Sequence, residues 1–574
     1  MKGTQLFVEA LKKEGVEKLF GYPGGCVVDI FDELYQQRDI ELILPRHEQA
    51  LVHEADGYAR ATGKVGVCLV TSGPGATNLV TGIATANYDS VPLVCFTGQV
   101  PTHLIGNDAF QEVDIIGITR SICKYGVAVR DRKDLARIIK EAFYIAGTGK
   151  PGPVIVDLPK DIMLEEGEES YPESVHIRGY KPSSGIHMGQ LKKAIELLQQ
   201  SKKPLILAGG GLVIANAHKE FQELTEQLQI PVITTLMGKG ILPSDHPLYL
   251  GNLGMHGNVP SNNAITECDV LLSIGTRFND RITGKISEFA KGARIIHIDI
   301  DAASISRNIL VEIPIVADAK LAVEKLLEKE IRLDTEGWLA RVRTLAGEIE
   351  ISKNEKKGLT PYRIFRLINE MWKEAIVVSD VGQNQMWTMQ YLKMEQKKRH
   401  ITSGGLGTMG YGFPAAIGAK LGHPNKTVIC ITGDGGFQMN LQEMATAVVH
   451  ELPIIICILN NGYLGMVRQL QELFYDQRYF GTCMRYRKNC SKNCSDPLKQ
   501  CPPYLPDFVK FAESYGALGI RVMDEHEISP AFELAMKNTK TPTIIEFVID
   551  NKELVLPMVQ SGKALSDMIL MEGR

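Results

Sequence analysis

Short apolar runs alternate along the chain with stretches in which apolar residues recur every three or four positions. IELILP, VGVCLV, VPLVCFTG and GPVIVDLP have strand length, and the stretches between them carry helical periodicity. This is the rhythm of parallel sheets covered by helices on both faces. The first residues already read as a helix, with Thr4 predicted as its N-cap, Leu6, Phe7, Ala10 and Leu11 on one apolar face, and Gly15 as its stop. No targeting peptide is therefore expected.

Two polar stretches interrupt the alternation, residues 165–185 and 333–361, both rich in charge, Gly, Pro and Ser. Read as linkers, they divide the chain into domains at 1–165, 186–335 and 360–552, followed by a tail, 553–574. Three domains suit 574 residues, at about 100–200 residues each. Displacing the chain by 361 residues lays Thr71 on Thr432, Gly75 on Gly436, Ala84-Thr85-Ala86 on Ala445-Thr446-Ala447, and Pro92 on Pro453. Both copies run strand, Gly-rich loop, helix, Pro, strand, which marks a duplicated βαβ unit. The predicted class is α/β, with three doubly wound parallel sheets and a shared fold for the first and third domains.

Charge and composition narrow the function. Lys+Arg 63 against Asp+Glu 67 gives a net charge of -4, which supplies no electrostatic footprint for nucleic acid. No apolar run reaches the roughly 18–20 residues that span a bilayer. Seven cysteines (Cys26, Cys68, Cys95, Cys123, Cys268, Cys430, Cys457) occur singly, mostly within apolar runs, which is reduced, intracellular usage; a cytoplasmic protein without membrane attachment is expected.

In the third domain TVICIT runs into Gly433-Asp434-Gly435-Gly436, and PIIICIL ends at Asn460-Asn461. The helix between them has Leu441, Met444, Ala445 and Val448 on one face, with Asn440 and Glu443 predicted as its capping box. A right-handed crossover brings both polar loops to the carboxyl edge of adjacent strands, where open α/β sheets bind ligands. Asp434, the amide oxygen of Asn461 and the Tyr463 carbonyl form an all-oxygen set suited to Mg²⁺ and phosphate, and the glycines admit the phosphate close to the backbone. An Asp-Gly pair alone is a common turn; the pair framed by two strands is what carries the reading. In the first domain Glu48 follows a strand end and opens a helix, where an isolated glutamate ordinarily complements the helix dipole.

The motifs YPGG, RHEQ, TSGPGATN, AFQE, SGGLGTMGYGFPAAIGA and GDGGFQMN…LNNGYLGMVRQ together resemble the thiamine-diphosphate-dependent enzymes, specifically the acetolactate synthase catalytic subunits, over nearly the whole chain outside residues 480–503. The resemblance implies that the first domain binds the pyrimidine end of the cofactor and the third its diphosphate and Mg²⁺, across a homodimer or homotetramer interface, with an FAD-binding middle domain and a small regulatory subunit as a further partner. It implies decarboxylation of pyruvate and ligation of the two-carbon unit to a second pyruvate or to 2-oxobutanoate. Residue by residue, Glu48 becomes a buried carboxylate on the aminopyrimidine, Gly25 and Gln111 line the reacting carbonyl, Lys160 is a further catalytic residue, and Thr71, Pro74 and Asn78 form the pyrimidine-side loop. Val381, Gly382, Gln383, Asn384, Gly433, Gly435, Gly436 and Met466 match the diphosphate side, while Gly407 and Met409 match the contact that bends the cofactor. Asp434, Asn461 and the Tyr463 carbonyl match the metal ligands. For FAD the matches are Lys150, Gly209, Gly210, Gly211, Leu253, Gly254, Met255 and His256, then Gly275, Thr276, Arg277, Asn279, Arg281, Asp299, Asp318 and Ala319. Arg281 also matches the arginine that grips the second substrate's carboxylate, beside Phe110, Val467 and Leu470.

Several positions depart from the pattern. Leu470 stands where the family carries Trp, which predicts weakened preference for 2-oxobutanoate. Asn384 replaces a His, Lys150 an Arg and Asn279 an Asp, and Cys26 replaces an Ala. The insert carries Cys483, Cys490, Cys494 and Cys501 without any C-x2-C pair; Zn²⁺, an iron-sulfur cluster, a redox-switchable disulfide and reduced surface thiols all remain open. A pyruvate oxidase of the same fold, passing electrons to FAD, is the rival activity. Glyoxylate carboligase is excluded because it lacks the glutamate present here as Glu48.

Overall fold

The computed structural model of the chain describes residues 1–168, 170–347, 358–395, 399–488, 490 and 501–570. Three six-stranded sheets, parallel throughout, follow one another along it. The first uses β1 (Lys18–Tyr22), β2 (Glu41–Ile43), β3 (Gly66–Val70), β4 (Leu93–Gln99), β5 (Tyr125–Ala128) and β6 (Pro153–Pro159), in the order β2-β1-β3-β4-β6-β5. The middle sheet uses β7 (Pro204–Ala208), β8 (Val232–Thr234), β9 (Tyr249–Asn252), β10 (Val270–Ile274), β11 (Arg294–Asp299) and β12 (Ile313–Val316), in the order β12-β11-β10-β7-β8-β9. The third uses β13 (Ile376–Ser379), β14 (Arg399–Thr402), β15 (Val428–Gly433), β16 (Ile454–Asn460), β17 (Leu518–Val522) and β18 (Thr543–Val548), in the order β14-β13-β15-β16-β18-β17.

Numbered from their own first strands, the first and third sheets share one order, 2-1-3-4-6-5. The displacement of 361 residues seen in the sequence carries Leu93–Gln99 onto Ile454–Asn460 end to end. The duplication is therefore structural. The middle sheet reads 3-2-1-4-5-6, the order of dinucleotide-binding sheets. Strands such as Cys95 and Cys457 run fully buried, because helices cover both faces.

The first and third domains share one core: Phe20, Val70 and Cys95 pack in the same cluster as Val378, Val428 and Ile456. Each such aliphatic side chain contributes roughly 1.5–3 kcal/mol by leaving water. Helices Glu48–Thr62 and Gly412–Gly422 make the crossing between them. A Cβ on Gly418 would lie 1.8 Å from the Glu54 carbonyl oxygen, and one on Gly57 would lie 2.1 Å from that of Ala415. Only glycine lets these backbones touch.

Three local expectations are corrected. Thr4 lies inside the first helix, Gly3–Lys13, whose cap is Lys2. The stretch read as a second linker contains the helix Glu336–Gly347, because Trp338, Val342 and Leu345 are buried against the middle domain and the Trp338 indole donates to Pro204 O at 2.9 Å. Asn440 and Glu443 form no capping box. Asn440 instead donates to Gly410 O at 2.8 Å, and both Glu443 oxygens accept the Arg46 N–H at 3.0 Å.

The tail turns back as an antiparallel pair, Met558–Val559 with Met568–Ile569, and is tied to the middle domain by Val559 N–H to Met255 O at 2.7 Å. No helix among the described residues is long and apolar enough to cross a membrane.

Candidate active site

In a 2-1-3-4 order the chain leaves strands 1 and 3 in opposite directions, so their trailing loops part and leave a crevice at the carboxyl edge. In the first domain those loops are Pro23-Gly24-Gly25 and Thr71–Gly75. They are tightly fitted: a Cβ on Gly24 would lie 2.5 Å from that of Thr71, and the Cys26 N–H reaches Thr71 Oγ1 at 3.4 Å. Lys160, just past β6, donates to Gly25 O at 3.0 Å and pairs with Asp29 at 3.4 Å. Gln111 (φ 61°) abuts Gly73 (φ 60°), whose hypothetical Cβ would lie 2.9 Å from the Gln111 backbone.

Glu48 opens its helix on the same rim and accepts a hydrogen bond from Asn78 at 3.0 Å; a Cβ on Gly75 would lie 3.6 Å from its carboxylate. Pro74 begins the helical turn Pro74–Thr77 that presents Asn78. Gly25, Thr71, Pro74, Asn78, Gln111, Lys160 and Glu48 thus meet on one edge. Glu48 is half-buried in the single chain. Phe110, next to Gln111 in the chain, is 87% exposed.

The matching crevice of the third domain lies between the loops after β13 and β15. Gly382 (φ 110°) precedes the helix Gln383–Tyr391, and a Cβ on Gly433 would lie 3.4 Å from the Asn384 amide. Asn384 donates to Val381 O at 2.9 Å and leaves its buried Oδ1 unpartnered. Asp434 is buried, accepts the Tyr504 hydroxyl at 2.7 Å and receives the Asn461 N–H; burial pushes its carboxyl up to about 7 against these hydrogen bonds. The Asn461 amide oxygen accepts the Tyr463 N–H at 3.0 Å. Asp434 and Asn461 therefore touch, as their spacing predicted, and an all-oxygen donor set of this kind fits Mg²⁺.

Met409 lies over this floor: a Cβ on Gly435 would lie 3.8 Å from its methyl group. Its loop is staked at both ends by carboxylates that sequence reasoning missed. Asp380 accepts the N–H groups of Val381, Gly410 and Gly412 at 2.7–3.1 Å. Asp89, from the first domain, accepts those of Gly404 and Gly405 at 3.0 and 2.7 Å and pairs with Arg60 at 3.0 Å. A strand-end Asp before Val-Gly was the available signal for Asp380; Asp89, at the end of a helix, gave none. Gly407 (φ 70°) is the free bend of the loop.

Leu470, Met466 and the half-exposed Val467 share the helix Gly465–Phe474. The described flanks of the insert are tied to this region: Leu464 N–H meets Thr482 O at 2.8 Å, Met484 N–H meets Gly462 O at 2.9 Å, and Tyr504 donates to Asp434. Cys490 accepts the Arg487 N–H at 3.2 Å. Cys494 lies outside the described residues, and among the described ones no three His, Cys, Asp or Glu side chains gather as a metal site.

In the middle domain the crevice falls between the loops after β7 and β10. Gly209, Gly210 and Gly211 fold onto Gly275-Thr276, with Gly209 N–H to Ile274 O at 2.9 Å and Gly211 N–H to Gly275 O at 3.1 Å. Leu253-Gly254-Met255-His256 sits under Arg281, where Met255 N–H reaches Arg281 O at 2.8 Å and the guanidinium itself is largely exposed. Asn279 Oδ1 and His256 Nδ1 are buried without partners, and burial holds the His256 ring down at about 4. These orphaned atoms and glycine edges fit a dinucleotide. Asp299 lies at the strand end, pushed up to about 6 by burial, while Lys150 pairs with Asp301 at 3.2 Å. Asp318 caps the helix Ala319–Leu327 through Leu321 N–H at 3.0 Å, a structural task. Arg277 approaches Gly405 of the Met409 loop, 2.8 Å from a Cβ placed there.

Comparison with known proteins agrees with this division. Residues 1–118 match the family described as thiamine pyrophosphate enzyme, N-terminal TPP binding domain; residues 191–326 match its central domain and residues 380–547 its C-terminal TPP binding domain. The chain is 47% identical to a probable acetolactate synthase large subunit of Methanocaldococcus jannaschii, over 99% of this chain and 95% of that one. It is 46% identical to the acetolactate synthase large subunit of Cyanidium caldarium (99% and 96%) and 42% identical to the acetolactate synthase isozyme 3 large subunit of Escherichia coli K12 (99% and 98%).

Proposed function

The chain belongs to the thiamine pyrophosphate enzymes, among the acetolactate synthase large subunits, and from that membership we propose that it decarboxylates pyruvate and joins the two-carbon unit to a second 2-oxoacid. The observation that carries the reading is the pair of sister crevices, one edged by Glu48 and Asn78, the other floored by Asp434 and Asn461.

Thiamine diphosphate, when bound, would supply the nucleophilic carbon that adds to the substrate's carbonyl and the cationic ring that takes up the electrons left as CO₂ departs. The protein's part is to hold it and to move protons. Asp434, Asn461 and the Tyr463 carbonyl would hold Mg²⁺, and the glycines of both loops would admit the diphosphate. Met409 would press against the middle of the cofactor. Glu48, oriented by Asn78, would exchange a proton with a pyrimidine nitrogen as general acid and base. Its half-open flank suits a site closed by a second copy of the chain, so we assign a dimer or a tetramer built from dimers. Gln111, Gly25 and Lys160 would line the reacting carbonyl.

FAD fits the middle crevice as a structural group, held by the glycine edges with Asn279 and His256. The exposed guanidinium of Arg281 would grip the second substrate's carboxylate bidentately. Pyruvate is the favoured acceptor, 2-oxobutanoate the lesser one, because Leu470 offers an extra methyl less surface than an indole. The relatives' designation as large subunits supports a small regulatory partner. Single thiols buried in strands suit the cytoplasm.

The test is product identity. Pyruvate alone should give acetolactate, which acid converts to acetoin, and competition with 2-oxobutanoate reads the acceptor preference. Stoichiometric bleaching of flavin by pyruvate, without acetolactate, would replace this reading with the oxidase.

A further inference from the structure

Behind Asn461 lies a chain of three buried amides. The Asn461 Nδ2 donates to Gln383 Oε1 at 3.0 Å; Gln383 Nε2 donates to Gln469 Oε1 at 3.0 Å and to Glu553 O at 3.0 Å. Gln469 closes the chain on the tail, accepting the Val555 N–H at 2.7 Å and donating to Val555 O at 2.9 Å. Gln469 is fully buried, Gln383 and Asn461 nearly so.

An amide turned end for end presents nitrogen where oxygen stood. Here main-chain groups decide it. A backbone N–H can only donate and a carbonyl can only accept, so Val555 fixes which end of Gln469 is oxygen. Glu553 O, together with Gln469 Oε1, fixes Gln383, and Gln383 Oε1 then requires the nitrogen of Asn461. At the far end the Tyr463 N–H requires the oxygen. Gly465 keeps the row compact, since a Cβ there would lie 2.1 Å from Gln383 Oε1.

We infer that Gln383 and Gln469 are positioning residues that turn the Asn461 amide oxygen toward the divalent cation, and that the tail segment 553–555 sets them. The tail, tied to the middle domain through Val559, thereby becomes part of the support of the metal site as well. The inference rests on the reading of Asp434 and Asn461 as the metal clamp.

The experiment titrates Mn²⁺ into the full-length protein with saturating thiamine diphosphate and counts free Mn²⁺ by electron paramagnetic resonance, a readout independent of turnover. Wild type binding the ion supports the clamp; failure there would overturn the clamp and this inference together. Gln469→Met should then weaken Mn²⁺ by about 10- to 100-fold, the usual effect of losing an outer-shell partner. Gln469→Glu, which keeps the acceptor and loses the donor, should fall between. In an Asn461→Asp background either side-chain atom is an oxygen, so Gln469→Met should bring no further loss, whereas a merely structural defect would persist. Unchanged affinity in Gln469→Met, or a full loss in the Asn461→Asp background, overturns the inference alone.

Discussion

The first and third domains set one strand order to two uses. Both open a crevice between their first and third strands, and both edge it with glycine, yet the first leaves its carboxylate half-exposed while the third buries Asp434 and Asn461. The scaffold makes the crevice; its chemistry is set by a few side chains at strand ends. A half-open carboxylate can exchange protons and meet a second surface, whereas a buried oxygen set can hold a cation and its phosphate. On the proposed function, the two crevices would be complementary parts of one site rather than two copies of it.

The largest expected effect comes from emptying the buried crevice. Asp434→Ala should weaken Mn²⁺ by more than about 100-fold, beyond the loss of an outer-shell partner, and with it cofactor binding and turnover. Next, Glu48→Gln should lower kcat by roughly 100- to 10,000-fold, the range for general acid–base groups, while leaving calorimetric binding of thiamine diphosphate with Mg²⁺ nearly unchanged. That split between binding and rate is the comparison in kinetic form; equal losses of binding in both variants would break it.

The seam between the two domains comes third. Gly418→Ala must push a backbone apart at Glu54, so a stability loss of about 1–3 kcal/mol in thermal or urea unfolding is expected. Smallest is the adjustment of specificity: Leu470→Trp should raise the preference for 2-oxobutanoate over pyruvate, with at most ~1–3 kcal/mol available from one methyl group. A competition assay that moves the other way would remove Leu470 from the acceptor pocket.

Sequence carried the frame further than the details. The duplication was legible because Gly-rich loops and strand ends repeat at a fixed displacement, and Asp434 with Asn461 because strand ends have few neighbours to confuse them. Asp89, Asp380, Tyr504 and Gln469 escaped, since each acts through partners far away in the chain: Asp89 reaches Gly404 and Gln469 reaches Val555. Glu443 misled for the same reason. Its place three residues after Asn440 has the spacing of a cap, while its bonds go to Arg46 in the other domain. Trp338 likewise sat in a polar stretch whose burial only the middle domain's surface explains.

That both crevices serve one cofactor, each drawing on a different subunit, is tested most directly by mixing two dead chains. Glu48→Gln and Asp434→Ala chains, co-expressed and assembled together, should regain about a quarter of wild-type activity, because half the random dimers would carry one intact site of two. If the mixture stays as inactive as either parent while mixed dimers are demonstrably present, Glu48 and Asp434 do not meet across subunits, and the account is contradicted.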